Sequence, residues 1–455
     1  MVNEREIILN ILLEKENQDL YEQTLIQNAL SQYDYLDTKE KSFIKRVCSG
    51  TLERKIQLDY ILNSFSKTKT NKMDKAVRNI LRMSVYQILF MDSVPDSAAV
   101  NEAVKLTAKK HLIRLKGFVN GVLRNIVRNA DNIKYPDKNE NNGISYLSVV
   151  YSTPEWLCKK WISELGFEKT EDILKAFLEV RPTIIRVDER LSKTDRDELI
   201  SDIKNFGNGS TIVRQSRLLP YAYELEKTDN IIYLPGFEDG KWSVQDVSSM
   251  LVSEIAGIKK NDVVVDVCAA PGGKSMHAAS KLNNTGKVIS RDVSEKKCDI
   301  IKENVSRMKL ENVEISVHDA REHDDSLENI ADILYLDVPC SGLGIIGRKA
   351  DIKYNASPEG LDEICKLQQE IIENVWDYVK VGGTLIYSTC TINPVENEKN
   401  VQWICENYPF ETVSIKENVP ESMKNVMTLD KGYIQLYPGE YGTDGFFISK
   451  LKRLK

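Results

Sequence analysis

Apolar residues recur at three- and four-residue spacing through the first part of the chain. REIILNILLE, DLYEQTLIQNAL, KSFIKRVCSGTLERKIQLDYILNSF, KAVRNILRMSVYQILFM, SAAVNEAVKLTAKK and GFVNGVLRNIVRNA all show it. That period marks one face of an amphipathic helix, so residues 1–135 are expected to form an all-α domain. Asp37 and Glu40 stand at capping-box spacing, and Pro95 with Asp96 opens another helix. The pattern then stops. DNIKYPDKNENNG, residues 131–143, is polar, carries Pro, Gly and several Asn, and reads as a linker.

Linker and a small α+β module are expected over residues 136–235. Helical periods run through PEWLCKKWISELG, TEDILKAFLEV and RDELISDIKNFG, and short strands are expected at TIIRV and near STIVRQ. The role of this module is not legible in its residues. From 236 to 455, strand and helix patterns alternate. DVVVDV, KVISR, VEISV, DILYLD, TLIYST, ETVSI and GFFISKL are strand candidates, and SEKKCDIIKENVSRMKL and KLQQEIIENVWDYVK are among the helices between them. Such alternation predicts a mostly parallel, seven-stranded sheet covered on both faces. Ligands of such sheets sit beyond the carboxyl ends of the strands.

Composition narrows the class. A chain of 455 residues exceeds one hydrophobic core, and 42% hydrophobic with 29% charged residues is ordinary for a soluble protein. No run of about 18 apolar residues offers a membrane span. MVNEREIILN lacks a signal-peptide layout, so a cytoplasmic protein is expected. Eight cysteines occur without a CxxC pair, which argues against zinc and against a disulfide framework, and leaves single thiols free. The net charge of -6 gives no global nucleic-acid signal. Locally, Lys105, Lys109, Lys110, Arg114, Lys116, Arg124 and Arg128 follow one another with no acid between them. They read either as a footprint for phosphates or as the solvated face of two helices.

Candidate chemistry falls at strand ends. DVVVDV runs into Cys268, Ala269, Ala270, Pro271, Gly272, Gly273 and Lys274. Small residues and two glycines let a backbone approach a ligand where a helix begins. Asp292 ends the next strand, Asp319 follows the third, and Asp337 ends the fourth. Asp292 is placed for ribose hydroxyls and Asp319 for an adenine amine. No Walker lysine with a following Ser or Thr is present, so a nucleoside cofactor without a polyphosphate is favoured. Cys340 lies just past the fourth strand and Cys390 just past the fifth. Neighbouring strands would open both thiols onto one crevice. Asn393, Pro394 and Glu396 read as N-cap, first and third residues of a helix. Its positive end would favour a Cys390 thiolate by roughly 0.3 to 1 kcal/mol.

DVCAAPGGKS, LDVPCSGLG, STCTINPVENE, SVQDVSSML and DGFFISKLKR resemble the motifs of RNA 5-methylcytosine methyltransferases. LRMSVYQILFMDSVPDSAAVNEAVKL and GFVNGVLRNI resemble the NusB-like RNA-binding fold. The combination is similar to the RsmB (Sun/Fmu) family, which acts on small-subunit ribosomal RNA. The resemblance implies a Rossmann-like class I methyltransferase domain, S-adenosyl-L-methionine as cofactor and 16S ribosomal RNA as partner, with neither metal nor membrane. A monomer is expected. It implies Cys390 as nucleophile toward carbon 6 of cytosine, Cys340 in product release, and Asp337 between cofactor and base. Residues 268–274, Asp292 and Asp319 would contact the cofactor. The basic stripe and Arg348 would contact RNA. Where the family carries an Arg-x-Pro-Asp-Ile-like stretch, this chain has GRKADIKY, with Ala350 in place of the proline. A transfer RNA substrate, or a non-catalytic antitermination-type factor, are the alternatives.

Overall fold

The computed structural model describes every residue except 1, 2, 19, 34, 208 and 229. The chain divides into two compact units, Met1–Leu178 with Ile346–Asn355, and Glu179–Ile345 with Ala356–Lys455. Helices from the stretch after the linker therefore group with the N-terminal helices, and the short strands after them group with the large sheet.

The first unit is helical. Its elements are α1 (Glu4–Asn17), α2 (Glu22–Ser31), α3 (Thr38–Glu53), α4 (Lys55–Phe65), α5 (Lys75–Phe90), α6 (Asp96–Lys109), α7 (Lys116–Arg128), α8 (Ile144–Val150), α9 (Glu155–Leu165) and α10 (Phe167–Leu178). The first residue of the expected DLYEQTLIQNAL helix, Asp19, lies outside the described residues. Asp37 and Glu40 make a reciprocal capping box at α3. Helix α5 supplies the centre of the core, where Val77, Ile80 and Leu81 pack with Ile8, Leu9, Ile44 and Leu123. Each such side chain contributes about 1.5–3 kcal/mol through burial. The stretch 41–65 reads as one helix in the sequence but breaks at Arg54. Ser152, from beyond α8, accepts the free amides of Ile56 and Gln57 at 2.9 and 3.4 Å and so caps α4 from a distance.

The second unit holds two sheets. The smaller contains β1 (Thr183–Val187), β2 (Ile212–Gln215), β3 (Ala222–Glu226) and β4 (Trp242–Val244), with α11 (Lys193–Asn205) after β1. Its order is β2-β3-β1-β4, antiparallel throughout. Next come α12 (Val247–Ala256), β5 (Val263–Asp266), α13 (Gly273–Leu282), β6 (Lys287–Asp292), α14 (Glu295–Arg307), β7 (Val313–Val317) and β8 (Ala331–Asp337). The chain then enters Ile346–Asn355, ending in the short α15 (Ile352–Asn355). It returns with α16 (Pro358–Val375), β9 (Val379–Thr389), α17 (Glu398–Asn407), β10 (Phe410–Thr412), β11 (Tyr433–Leu436) and β12 (Phe446–Arg453).

The larger sheet has the order β10-β12-β9-β8-β5-β6-β7, with β11 paired to β12. From β9 to β7 the strands run parallel, and β12 is antiparallel to β9. Val264, Val265, Leu334, Tyr335 and Leu336 are fully buried, which explains the unbroken apolar runs of the central strands. The sheet has one strand more than the seven expected. The addition, β11, is a four-residue edge strand whose alternation is too short to read. Among the described residues, no helix is long and apolar enough to cross a membrane.

The inserted segment is built into the helical unit. Asp351, nearly fully buried, accepts from Lys15 Nζ at 3.3 Å and from the Glu22 amide at 2.9 Å. Lys353 is buried and donates to the Glu53 carbonyl at 2.8 Å. Burial lowers its pKa to about 8.

Candidate functional site

Parallel pairing of β8 with β9 sets the site. Asp337 and Ser388 are partners in register, so the loops that follow the two strands leave the sheet side by side. Cys340 and Cys390 ride on these loops, and their sulfurs lie 3.0 Å apart. Both are free thiols and both are partly exposed. The Gly344 amide donates to the Cys390 carbonyl at 3.0 Å, and the Gly445 amide donates to the Gly344 carbonyl at 2.9 Å. A Cβ on Gly344 would come within 2.1 Å of the Gly445 carbonyl oxygen, so only glycine fits there.

Glu396 holds the two loops together. It is fully buried, and its carboxylate accepts from the Ser341 amide at 2.8 Å and the Ser341 hydroxyl at 2.6 Å. It also accepts from Asn393 Nδ2 at 3.0 Å and Gln368 Nε2 at 3.1 Å. This corrects the expected helix start. Residues 394–397 form a turn and α17 begins at Glu398, so Asn393 caps no helix and Glu396 is not its third residue. The carboxylate spans from the Cys390 loop to the Cys340 loop instead. No helix begins at Asn393 to favour a Cys390 thiolate.

What the structure shows electrostatically concerns Cys340. Its pKa is raised well above the ordinary thiol value, first by its hydrogen bond with Cys390 and then by burial. Cys340 therefore holds its proton near neutrality.

Asp337 faces the same crevice. It receives Lys274 Nζ at 2.6 Å and Ser388 Oγ at 2.8 Å. Burial works against the charge on Lys274, but the charge and hydrogen bond of Asp337 outweigh it and raise the lysine pKa. Behind them, Asp266 is fully buried and takes a 2.7 Å bond from Ser275. Burial, with Asp337 nearby, pushes its pKa up to about 7. Glu396 and Asp266 are the residues whose placement sequence reasoning missed. Both lie inside motifs that it read, but neither spacing shows what the carboxylates touch.

The glycine turn lies at the end of β5. Gly272 takes a left-handed φ of 99°, and α13 starts at the next residue. Asp292 ties this turn down: it accepts the Ala270 amide at 2.9 Å, the Val293 amide at 2.8 Å and Lys297 Nζ at 2.9 Å. Cys268 is half-buried, and burial and then the neighbouring acids push its thiol pKa up. Asp319 does not project freely. Arg321 binds it through two nitrogens and, as the largest cause, lowers its pKa to about 2.

The basic stripe is less uniform than its sequence. Lys105 pairs with Glu102 at 2.7 Å, Lys109 with Glu6 at 2.5 Å, and Lys110 donates to Asn10 at 2.9 Å. Arg114, Arg124 and Arg128 are exposed and Lys116 is half-exposed. Arg348 lies in the inserted segment, and its carbonyl accepts from Gln23. Trp242, Tyr354 and Trp376 are packing residues. The Trp242 indole donates to the Pro235 carbonyl, Tyr354 donates to the Glu53 carbonyl, and Trp376 stacks on Tyr408.

The profile of the family described as 16S rRNA methyltransferase RsmB/F matches residues 255–452, and that of the NusB family matches residues 2–128. A protein of Bacillus subtilis (strain 168) named probable ribosomal RNA small subunit methyltransferase B is 34% identical, over 99% of this chain and 98% of its own. The chain belongs to the RsmB/F methyltransferase family. A Synechocystis relative with the same name is 31% identical over the whole of both chains. The crystal structure of PH0851 superposes with a TM-score of 0.80 at 25% identity, covering 100% of this chain and 99% of that one. The crystal structure of NSun6 from Pyrococcus horikoshii with SFG shares the fold. Its TM-score is 0.57 at 21% identity, over 67% of this chain and 100% of that one.

Members of the RsmB/F family use S-adenosylmethionine, and this chain fits it. A left-handed glycine opens the β5–α13 turn, an acid ends the next strand, and Val293 beside that acid is 50% exposed at the same edge. An apolar side chain left open next to a carboxylate suits the base and ribose of a nucleoside.

Proposed function

We propose that this protein methylates carbon 5 of a cytosine in small-subunit ribosomal RNA through a transient bond between Cys390 and carbon 6. One observation carries the reading: two free thiols 3.0 Å apart, at the ends of adjacent parallel strands, beside the Asp337–Lys274 pair. Carbon 5 of cytosine is a weak nucleophile. Adding the Cys390 thiolate to carbon 6 forms a carbon–sulfur bond and turns the ring into an enamine, whose carbon 5 can attack an electrophilic methyl. Covalent catalysis of this kind splits one hard step into two easier ones. Residues 268–274, Asp292 and Asp319 would hold the cofactor, which would supply that methyl group on a sulfonium.

The remaining steps belong to the protein. The proton at carbon 5 leaves to a base, either the Cys340 thiolate or water. The carbon 6–sulfur bond then breaks, the electron pair returns to Cys390, and the ring double bond reforms. The leading cause of the raised Cys340 pKa is its hydrogen bond with Cys390. Once the Cys390 sulfur is bonded to carbon, that partner is occupied, and Cys340 becomes easier to ionise when a base is needed. Asp337, fixed by Lys274 and Ser388, can accept from the exocyclic amine of cytosine. The base must leave its stack to enter such a crevice. The exposed arginines of α7 and Arg348 would add phosphate contacts with a salt-dependent share of affinity.

The test is transfer of labelled methyl from S-adenosylmethionine to small-subunit RNA, with transfer RNA in a parallel arm. Cys390→Ser should abolish transfer, and Cys340→Ser should accumulate protein joined to RNA on a denaturing gel. Undiminished transfer by Cys390→Ser would overturn the assignment, and transfer confined to the transfer RNA arm would overturn the substrate.

A further inference from the structure

The helical unit contains a cavity of about 410 Å³ that the sequence does not announce, because four distant stretches build it. Helices α1, α4 and α5 supply Lys15, Lys55, Lys75, Arg78 and Arg82, and the inserted segment adds Asp351 and Tyr354. Glu16 and Asp351 are the carboxylates in its lining. They are already engaged. Arg78 and Arg82 converge on Glu16 at 2.7 and 3.0 Å, and Lys15 reaches Asp351 at 3.3 Å. Arg82 is also held at 2.7 Å by Asp59, from outside the lining. Cations remain in excess.

Lys55 shows the imbalance most directly. Among the described residues it has no ion pair, and its ammonium lies 4.8 Å from the centre of the Tyr354 ring. Burial first, then the positive charge of Arg82, pushes its pKa down, and the opposing charges of Asp59 and Glu16 offset this only in part. Lys75, by contrast, is exposed and donates to Asn17 Oδ1 at 2.9 Å, so the cavity opens to solvent on that side. A half-buried ammonium beside two guanidinium groups is relieved by an anion with several acceptor oxygens. The volume exceeds what one inorganic phosphate fills, and it admits part of a nucleotide chain.

We propose that this cavity is a phosphate-binding site for the backbone of the substrate RNA, with Lys55 and Lys75 as its ligands. The identity of the ligand as RNA rests on the function proposed above. This site is separate in sequence from the Lys105–Arg128 stripe, and it uses cations that individually read as ordinary helix-surface residues.

The experiment uses the full chain and a labelled fragment of small-subunit ribosomal RNA, with affinity measured by anisotropy over a series of salt concentrations. Lys55→Met should weaken binding about tenfold at low salt, as expected for loss of one charged hydrogen bond. The slope of log affinity against log salt should become shallower by about 0.7, the value for one phosphate on a single strand. Lys75→Met, at an exposed position, should shift both quantities in the same direction by less. Unchanged affinity and slope in both variants overturns the proposal. Inorganic phosphate is titrated in a parallel arm. If Lys55→Met removes phosphate binding but leaves the RNA slope intact, the site serves a small phosphorylated compound, and the RNA assignment fails. Methyl transfer by the parent protein is recorded alongside. Transfer with unaltered RNA binding in the variants sinks the cavity alone. A shallower slope without any transfer by the parent upholds the cavity and sinks the enzyme reading.

Discussion

Cys340 and Cys390 share one hydrogen bond at 3.0 Å, and their carrier loops stay in place because Glu396 binds both. Truncating that carboxylate removes the one acceptor that Ser341, Asn393 and Gln368 share, so the loops lose their common tie. Glu396→Ala is expected to lower methyl transfer by about a hundredfold, the scale of effect that a displacement near 1 Å produces. Affinity for S-adenosylmethionine should be unchanged, and equilibrium binding beside single-turnover transfer checks both parts. Asp266 gives a prediction of a different kind. Its pKa in the fold is about 7, against about 3.9 in an unfolded chain. Between those values the folded state keeps a proton that the unfolded state has lost. The contribution of this group therefore falls as pH rises through the window, and levels off above about 7. Asp266→Asn does not titrate. Its melting temperature relative to the parent should rise from pH 5 to pH 8, and a difference that is flat with pH would contradict the account.

At the scale of elements, the break between α3 and α4 shows what a local pattern conceals. The apolar period runs through Arg54 without interruption, yet the helix stops there because Ser152 supplies an acceptor for the next two amides. Ser152→Ala should destabilise the helical unit by about 1 kcal/mol, the usual worth of such a cap, read from chemical denaturation. The same limit applied at Asn393. Asn, Pro and Glu at the right spacing predict a helix start, but the Glu396 side chain has stronger partners across the crevice than the Asn393 backbone, and the helix begins two residues after it. The strands were more legible. Val263–Asp266 and Ala331–Asp337 are largely buried, Val313–Val317 is a partly exposed edge strand, and each is bounded by polar residues that the sequence displays.

For the whole molecule, the placement of the two thiols was legible because strand alternation fixes a parallel sheet, and a parallel sheet puts consecutive carboxyl ends at one edge. The membership of Ile346–Asn355 in the helical unit was not. No periodicity records that Asp351 and Lys353 find their partners at Lys15, Glu22 and Glu53, more than 290 positions away. The acidic total charge was equally uninformative, since it averages over a local run of seven cations from Lys105 to Arg128. The chemistry at the centre is tested most directly with RNA in which cytosine carries fluorine at carbon 5, incubated with the parent protein and S-adenosylmethionine. Fluorine cannot leave as a proton does, so the ring should remain attached after the methyl has been transferred. Mass spectrometry of the digested product should place one methylated fluorocytidine on the peptide containing Cys390. A label on the Cys340 peptide, or no attached RNA, would contradict the account.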